Sequence, residues 1–540
     1  MRYQNIYTLF RDQTAKYGGR PVFYTRGNGG WTSQTWTDFE DKVHDFACAL
    51  TATGLTKGAS VAILAGNIPE WSICDIGVIA AGGVGVGLYP TSSAEQCEFV
   101  IDHSDAEFVI VDRVAQLDKI NSISNGIGKV KEILCIEDGG FDRFIEYGRS
   151  KRAEFLPTIE QTASNADFED IAVMVYTSGT TGQPKGAMLS HRYILNSVES
   201  LRQSVPALEA DVAISYLPGC HVAERISGIY NRLYNGTPAY FINDLSRLYE
   251  YMLDIKPTVF ASLPRFFEKI HAKVIATSGS DSVDSQAVKD AFGGRVRLLT
   301  SGGAPLPLEI ADFFAKHDLP ILQAYGLTEN VCVAFNTVAE HKFGTVGKPM
   351  PMCEVRIARD GEILVKSEMM FSGYYKEPEK TAEMFDADGW LKTGDLGDID
   401  DDGFLTITGR KKEIIVLSSG KNVAPALVEN YVKESHLISH CFLHGDGRSY
   451  CVAMITLNEA EVDAFIYGTE EAERTERIRS AVDGIVAKAN ARVSSSEQIK
   501  KYVILERDFS TAEDEITPTM KLKRNVVAKN YKYILERLYD

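Results

Sequence analysis

Short apolar runs punctuate the first two thirds of the chain, at 61–64, 108–111, 133–136, 171–175, 213–215, 258–261, 296–299 and 321–323. Runs this brief, bounded by turn residues and separated by stretches of mixed polarity, predict buried strands alternating with helices. That alternation predicts an α/β fold with mainly parallel sheets. Over 344–407 Gly, Asp and Tyr become dense and the strands shorten, as at 362–365, which predicts a small β-rich subdomain. Past Gly409 the pattern changes again. A strand at 414–417 precedes a helix opened by Pro425, and strands at 439–443 and 450–457 flank the turn Gly445-Asp446-Gly447. A long helix then carries Ile478, Val482, Ile485, Val486 and Ala489 on one face. The expected organisation is a large N-terminal domain, 1–409, and a small C-terminal α/β domain, 410–540, joined through Arg410-Lys411-Lys412-Glu413.

A chain of 540 residues exceeds one ordinary core, so several domains are expected. Charged residues at 24% and hydrophobic residues at 44% suit a soluble globular protein. The net charge of -17 argues against nucleic acid as a partner, and means that an anionic substrate needs a local basic site. Nine cysteines without a Cys-x-x-Cys pair suit free thiols in a reducing compartment. The first residues lack the apolar core of a signal peptide, and the uncharged stretch 76–94 is broken by five glycines and Pro90. It therefore reads as a buried helix and strand rather than a membrane span. A cytoplasmic location is expected.

The densest chemistry lies at 176–186, Tyr-Thr-Ser-Gly-Thr-Thr-Gly-Gln-Pro-Lys-Gly, directly behind the apolar run 171–175. Glycines let backbone N–H groups approach phosphate oxygens, hydroxyls add donors and Lys185 adds a full charge, so this loop is built to hold a polyphosphate. It is not a P-loop of the Gly-x-x-x-x-Gly-Lys-[Ser/Thr] kind. Pro184 stands where the second glycine belongs and has no N–H, and Gly186 replaces the metal-binding hydroxyl. Asp398, Asp400, Asp402 and Gly403 open like a calcium loop, but the twelfth position is Gly409 rather than a bidentate glutamate, so a solvated turn is the better reading. No histidine falls in a His-Glu-x-x-His or Cys/His zinc pattern.

Five further segments accompany the phosphate loop in order: Ser301-Gly302-Gly303-Ala304-Pro305-Leu306, Tyr325-Gly326-Leu327-Thr328-Glu329, 389–395 (Gly-Trp-Leu-Lys-Thr-Gly-Asp), Gly409-Arg410-Lys411-Lys412-Glu413, and 517–521 (Thr-Pro-Thr-Met-Lys). Together they resemble the adenylate-forming superfamily of acyl-CoA synthetases and ligases over nearly the whole chain. The segments 215–225, 257–270 and 420–425 are most similar to those of long-chain fatty acid–CoA ligases. Gly219-Cys220 departs from the bulkier-then-small pairs associated with that position, which predicts an unusually shaped acyl entrance.

The resemblance implies a fatty acid, ATP and CoA as substrates, with Mg2+. A carboxylate attacks the α-phosphorus of ATP, expels pyrophosphate and forms an acyl-adenylate, and a thiol then displaces AMP. By resemblance Thr177, Ser178, Gly179, Thr180, Thr181, Gly182 and Lys185 hold the β- and γ-phosphates, Thr328 meets the α-phosphate, and Glu329 holds Mg2+. Without its neighbours, Glu329 would read as an ordinary helix-start carboxylate. Tyr325 is implied to stack on adenine, with Gly302, Gly303 and Ala304 as a close wall beside it, and Gln323, Ala324 and Gly326 are implied to bind the nucleotide. Asp395 is implied to take both ribose hydroxyls, with Arg410 reaching the same sugar, and Ile407 and Lys412 are implied among the residues that bind the cofactors. Lys521 is implied to bridge the attacking carboxylate and the α-phosphate, and His221 to stand near the carboxylate and thiol, although a structural histidine is an equal reading. The C-terminal domain is implied to swing about Lys412, exchanging Lys521 for the loop Gly420-Lys421-Asn422 at the pantetheine channel.

Two alternatives stand beside this reading. One delivers the acyl group to an acyl carrier protein, and CoA dependence separates the two. The other is a non-catalytic acyl- or nucleotide-binding protein, against which the joint presence of Lys185, Glu329, Asp395, Arg410 and Lys521 speaks. Peripheral membrane contact suits a fatty-acid substrate, but no amphipathic segment is clear enough to assign it, and monomer and homodimer both remain open.

Overall fold

The computed structural model describes residues 2–27, 29–177, 183–278, 283–517 and 521–540. Among these, two large sheets form the N-terminal part. One runs in the order Glu132–Cys135, Ala106–Val111, Ser60–Leu64, Val84–Leu88, Ile171–Thr177, Lys185–Ser190, parallel except for its last, antiparallel edge. Val61, Ala62, Ile63 and Leu64 are wholly buried, as expected of a strand covered on both faces. The other sheet has six parallel strands at its centre, from Ile321–Leu327 through Leu298–Ser301, Val259–Ser262, Ala213–Ser215 and Ala239–Phe241 to Pro21–Gly27, with antiparallel strands at both edges. The stretch 76–94 is the end of the buried helix Pro69–Ala80 and the strand Val84–Leu88.

The expected strand at 296–299 forms two residues later, at Leu298–Ser301. The N–H groups of Arg297 and Leu298 both donate to the Thr258 carbonyl, at 2.8 and 3.3 Å, and the Arg297 side chain turns out to Asp211. Pairing with Val259–Ser262 therefore sets the register and draws the polar Thr300 and Ser301 into the ladder. Ala223–Tyr230, for which the sequence pattern predicts no element, is a π-helix. Its Arg225 is completely buried and pairs with Asp75, which also accepts from the Tyr230 hydroxyl at 2.7 Å. Gly85 makes room for that pair: a Cβ there would lie 2.5 Å from Arg225 Nη2.

The β-rich region is an antiparallel sheet of Cys353–Ile357, Glu362–Ser367, Leu391–Ile399 and Leu405–Arg410. Its Ile363, Val365, Leu391 and Leu405 join the main N-terminal core. Arg410 closes that sheet, and the 3-10 turn Lys411–Glu413 leads out of it, with Lys411 Nζ tied back to Asp360 at 2.7 Å and Glu362 at 2.8 Å. From Ile415 onward the chain builds a separate core. Helix Glu471–Asn490 lays Val482, Val486 and Ala489 against the strands Ile438–His444 and Cys451–Leu457, with Ile478 and Ile485 at the rim. Among the described residues no helix is long and apolar enough to cross a membrane.

Candidate active site

Tyr325, Asp395 and Arg410 meet where the β-rich sheet abuts the large parallel one. Asp395 and Arg410 are cross-strand partners in the antiparallel ladder, so sheet register alone puts them side by side. Arg410 Nε donates to Asp395 Oδ1 at 2.8 Å, and the Tyr325 hydroxyl donates to Oδ2 at 2.6 Å. Asp395 is 4% exposed. Burial, then the neighbouring carboxylate, pushes the Tyr325 phenol well above its ordinary value, which keeps it a donor. On the same strand as Tyr325, Gln323 is buried with no partner for its Oε1 among the described residues, and Ser301, its register partner, has none for its Oγ. Orphaned buried acceptors are costly unless a ligand meets them. Gly302, Gly303 and Ala304 follow Ser301 in a bend; Gly303 has φ +77°, and a Cβ on it would meet the half-exposed Leu263.

At the other end stand Lys185, Glu329 and Tyr374. Strands Ile321–Leu327 and Asn330–Phe335 form a hairpin with Thr328 and Glu329 as its turn, so Glu329 does not start a helix. Gly326 is required there because a Cβ would overlap the Val331 carbonyl. Buried Tyr193 pins the turn, donating to the Thr328 carbonyl at 2.9 Å and accepting from the Val331 N–H at 3.0 Å. The largely buried Glu329 accepts a hydrogen bond from the Tyr374 hydroxyl, and the Lys185 ammonium lies 4.7 Å from the centre of the Tyr374 ring. Lys185 is the register partner of Thr177. Ser178, Gly179, Thr180, Thr181 and Gly182 lie outside the described residues.

His221 precedes the π-helix and accepts the Ala223 N–H on Nδ1 at 3.2 Å, which leaves Nε2 as the protonated nitrogen of the neutral ring. Burial, and then the Lys521 charge, hold its pKa down to about 4. Lys521 keeps solvent access, yet it stands among protein groups that lower its pKa: poor hydration first, then Arg410, opposed by Asp395 and Glu413. Lys521 thus reaches from the C-terminal core toward Asp395, Arg410 and His221. Gly219 lies flat on Trp71, since a Cβ would sit 2.9 Å from its ring, and Cys220 packs on Gly87. The small pair is thus matched to a tryptophan.

The predicted residues are not all gathered here. Gly420 and Lys421 are exposed in a tight turn with φ +77° at Gly420, Asn422 is exposed at the start of the strand Asn422–Val423, and the loop's hydrogen bonds, from Leu417 N–H to the Lys421 carbonyl and from Ser418 N–H to the Arg448 carbonyl, stay within the C-terminal unit. Lys412 is exposed in the connecting turn, and Ile407 and Ala324 are half-buried strand residues. Sequence reasoning passed over Tyr374, Tyr193, and Arg265, whose guanidinium donates to the Ser439 carbonyl across the two units. Arg265 lies inside the segment 257–270, but nothing in spacing shows what it or Tyr374 touches.

A family model described as AMP-binding enzyme matches residues 10–375, and one described as AMP-binding enzyme C-terminal domain matches 412–540. The chain is 34% identical over 572 residues to the long-chain-fatty-acid–CoA ligase FadD15 of Mycobacterium tuberculosis, covering 95% of this chain and 93% of the relative. It is 30% identical over 615 residues to the human long-chain-fatty-acid–CoA ligase ACSBG2, covering 98% and 92%. Among solved structures, ATP-bound MatB from Rhodopseudomonas palustris superposes with a TM-score of 0.78 at 23% identity, covering 98% of this chain and 99% of that one. The adenylation domain of a carboxylate reductase from Mycobacterium chelonae gives 0.81 at 22%, covering 100% and 92%. At such identities these likenesses concern the fold.

Proposed function

The chain belongs to the AMP-binding enzyme family, and on that premise we propose that its cleft carries out the two half-reactions of a long-chain fatty acid–CoA ligase. The enzyme activates a fatty acid with ATP to an acyl-adenylate and transfers the acyl group to CoA, giving acyl-CoA, AMP and pyrophosphate. The observation that carries the assignment of roles is the buried Asp395 carboxylate, held by Arg410 Nε at 2.8 Å and the Tyr325 hydroxyl at 2.6 Å, with the Lys521 charge from the other core acting on the same groups.

Each group has a chemical task. Asp395 is an acceptor for the ribose hydroxyls, held in place by Arg410 and Tyr325. Gln323 Oε1 is free to accept from an exocyclic amine, and the bare backbone at Gly302 and Gly303 lets adenine lie close. Lys185, with the hydroxyls of 177–181, balances the β- and γ-phosphates. Glu329 supplies one hard carboxylate oxygen, and a Mg2+ ion held by one carboxylate plus phosphate oxygens suits such a site. When bound, that ion neutralises charge on the polyphosphate. Lys521 bridges the attacking carboxylate and the α-phosphate, where charge gathers and a preorganised cation lowers the barrier. His221, neutral, presents Nε2–H as a donor toward the same carboxylate. Thr328 lies in the turn that faces the α-phosphate. For thiolysis the unit that follows Lys412 rotates about that residue, withdraws Lys521 and brings Gly420-Lys421-Asn422 to the thiol, while Arg410 stays in the sheet beside Asp395. The unpaired state of all nine cysteines fits a cytoplasmic enzyme.

The test is incubation with ATP, Mg2+ and fatty acids from short to long, with and without CoA, quantifying acyl-AMP and acyl-CoA by mass spectrometry. Acyl-CoA that requires CoA and peaks with long chains is expected. Acyl-AMP accumulating despite CoA would transfer the acceptor role to an acyl carrier protein.

A further inference from the structure

Tyr374 touches both charged groups at the phosphate end of the cleft and separates them: among the described residues Lys185 and Glu329 form no ion pair. Its backbone is sewn to the strand Lys185–Ser190, with an antiparallel bridge to Ala187 and bonds from Met188 N–H to the Gly373 carbonyl at 2.9 Å and from Tyr375 N–H to the Gly186 carbonyl at 2.8 Å. Its own N–H donates to Thr381 Oγ1 at 2.8 Å, and its ring meets Phe371 edge-on at 5.0 Å. The side chain is 5% exposed. A residue fixed so firmly has one place to put its hydroxyl and its ring face.

We infer that Tyr374 is a positioning residue that sets the Glu329 carboxylate and the Lys185 ammonium as one rigid grip for metal and phosphate. The inference rests on the reading of Glu329 as the Mg2+ ligand. The two contacts are chemically matched to that task. A hydroxyl donated to one carboxylate oxygen orients the group and leaves the other oxygen for a cation. An aromatic face holds the ammonium without neutralising it, as a carboxylate would, so its full charge stays available to phosphate. Phenylalanine would perform the second task only, whereas the tyrosine present supplies both.

The test uses the full chain with Mn2+ as a spin probe and α,β-methylene-ATP as the nucleotide. Tyr374→Phe is expected to weaken Mn2+ binding about tenfold or more, the scale for losing an outer-shell partner, while nucleotide affinity in EDTA stays within about twofold of wild type. Tyr374→Leu should in addition weaken nucleotide binding in EDTA about threefold or more, because Lys185 loses its ring. Glu329→Gln is the control. If it weakens Mn2+ and Tyr374→Phe does not, the role of Tyr374 is overturned while the metal reading stands. If Glu329→Gln leaves Mn2+ binding intact, both fall. If Tyr374→Phe weakens nucleotide binding equally with and without metal, its role is structural and the inference is overturned.

Discussion

Asp395→Asn isolates what the buried carboxylate does, because asparagine keeps the shape and one acceptor but drops the charge. In the wild type the two oxygens are already engaged by Arg410 Nε at 2.8 Å and by the Tyr325 hydroxyl at 2.6 Å, leaving further lone pairs directed at a ligand. Hydrogen bonds to a charged group contribute about 1.5–3 kcal/mol each, so the wild type should prefer ATP over 2′-deoxy-ATP or 3′-deoxy-ATP by roughly 10- to 100-fold in kcat/KM for adenylation. In Asp395→Asn each preference should shrink to about threefold, with most of the loss in turnover of ATP itself. The assay is pyrophosphate exchange with the three nucleotides. The substitution also removes an ion pair, but Arg410 is half exposed and solvent screens it, so the stability cost should be only about 1–2 kcal/mol in urea unfolding. Undiminished discrimination in a folded Asp395→Asn enzyme would refute the assignment of the ribose to this carboxylate.

Lys521→Ala should depress adenylation about 10²- to 10³-fold and leave the reaction of preformed acyl-adenylate with CoA nearly intact; equal loss of both steps would count against the rotation of the unit beyond Lys412. Because its surroundings lower the Lys521 pKa, the wild-type adenylation rate should decline at a lower alkaline pH than an ordinary lysine would give, and Lys521→Arg should move that limb upward. Arg265→Ala removes a hydrogen bond between the two units, worth about 1 kcal/mol, so interdye transfer between labelled units should report a several-fold larger open population. Asp75→Asn strands the buried Arg225 and should cost about 3–5 kcal/mol in denaturant unfolding, with part of the loss recovered in Asp75→Asn/Arg225→Met. His221 is held at about 4, below the 6.5 of an unfolded histidine, so between those values the unfolded chain binds the extra proton and folding weakens as pH falls. Its C2–H resonance should titrate near 4, and a midpoint near 6.5 would contradict the poorly hydrated position near the Lys521 charge.

The strands at 108–111, 171–175 and 213–215 could be placed from pattern because each is a short apolar run buried on both faces. The strand at 298–301 could not, since its register comes from pairing with Val259–Ser262 rather than from its own hydrophobicity. The π-turns of Ala223–Tyr230 were equally hidden, because a buried arginine reads as a surface residue until Asp75, 150 positions away, is known to meet it. Lys185, Asp395 and Arg410 were named from their motifs, yet their partners were not. Tyr374 was missed because its importance lies in which two side chains flank it.

The sequence by itself determined the alternation of buried strands and helices, the change of architecture after Gly409, and the identity of the groups available for phosphate, ribose and carboxylate, since burial pattern and functional-group chemistry are local properties. Tertiary structure alone decided that Asp395 would be gripped by Arg410 and Tyr325, that Glu329 would sit in a hairpin turn against Tyr374, and that Lys521 would arrive from a second core. Those relations depend on sheet register and on how one core packs against another, and both are set by the sum of many distant contacts rather than by any single segment.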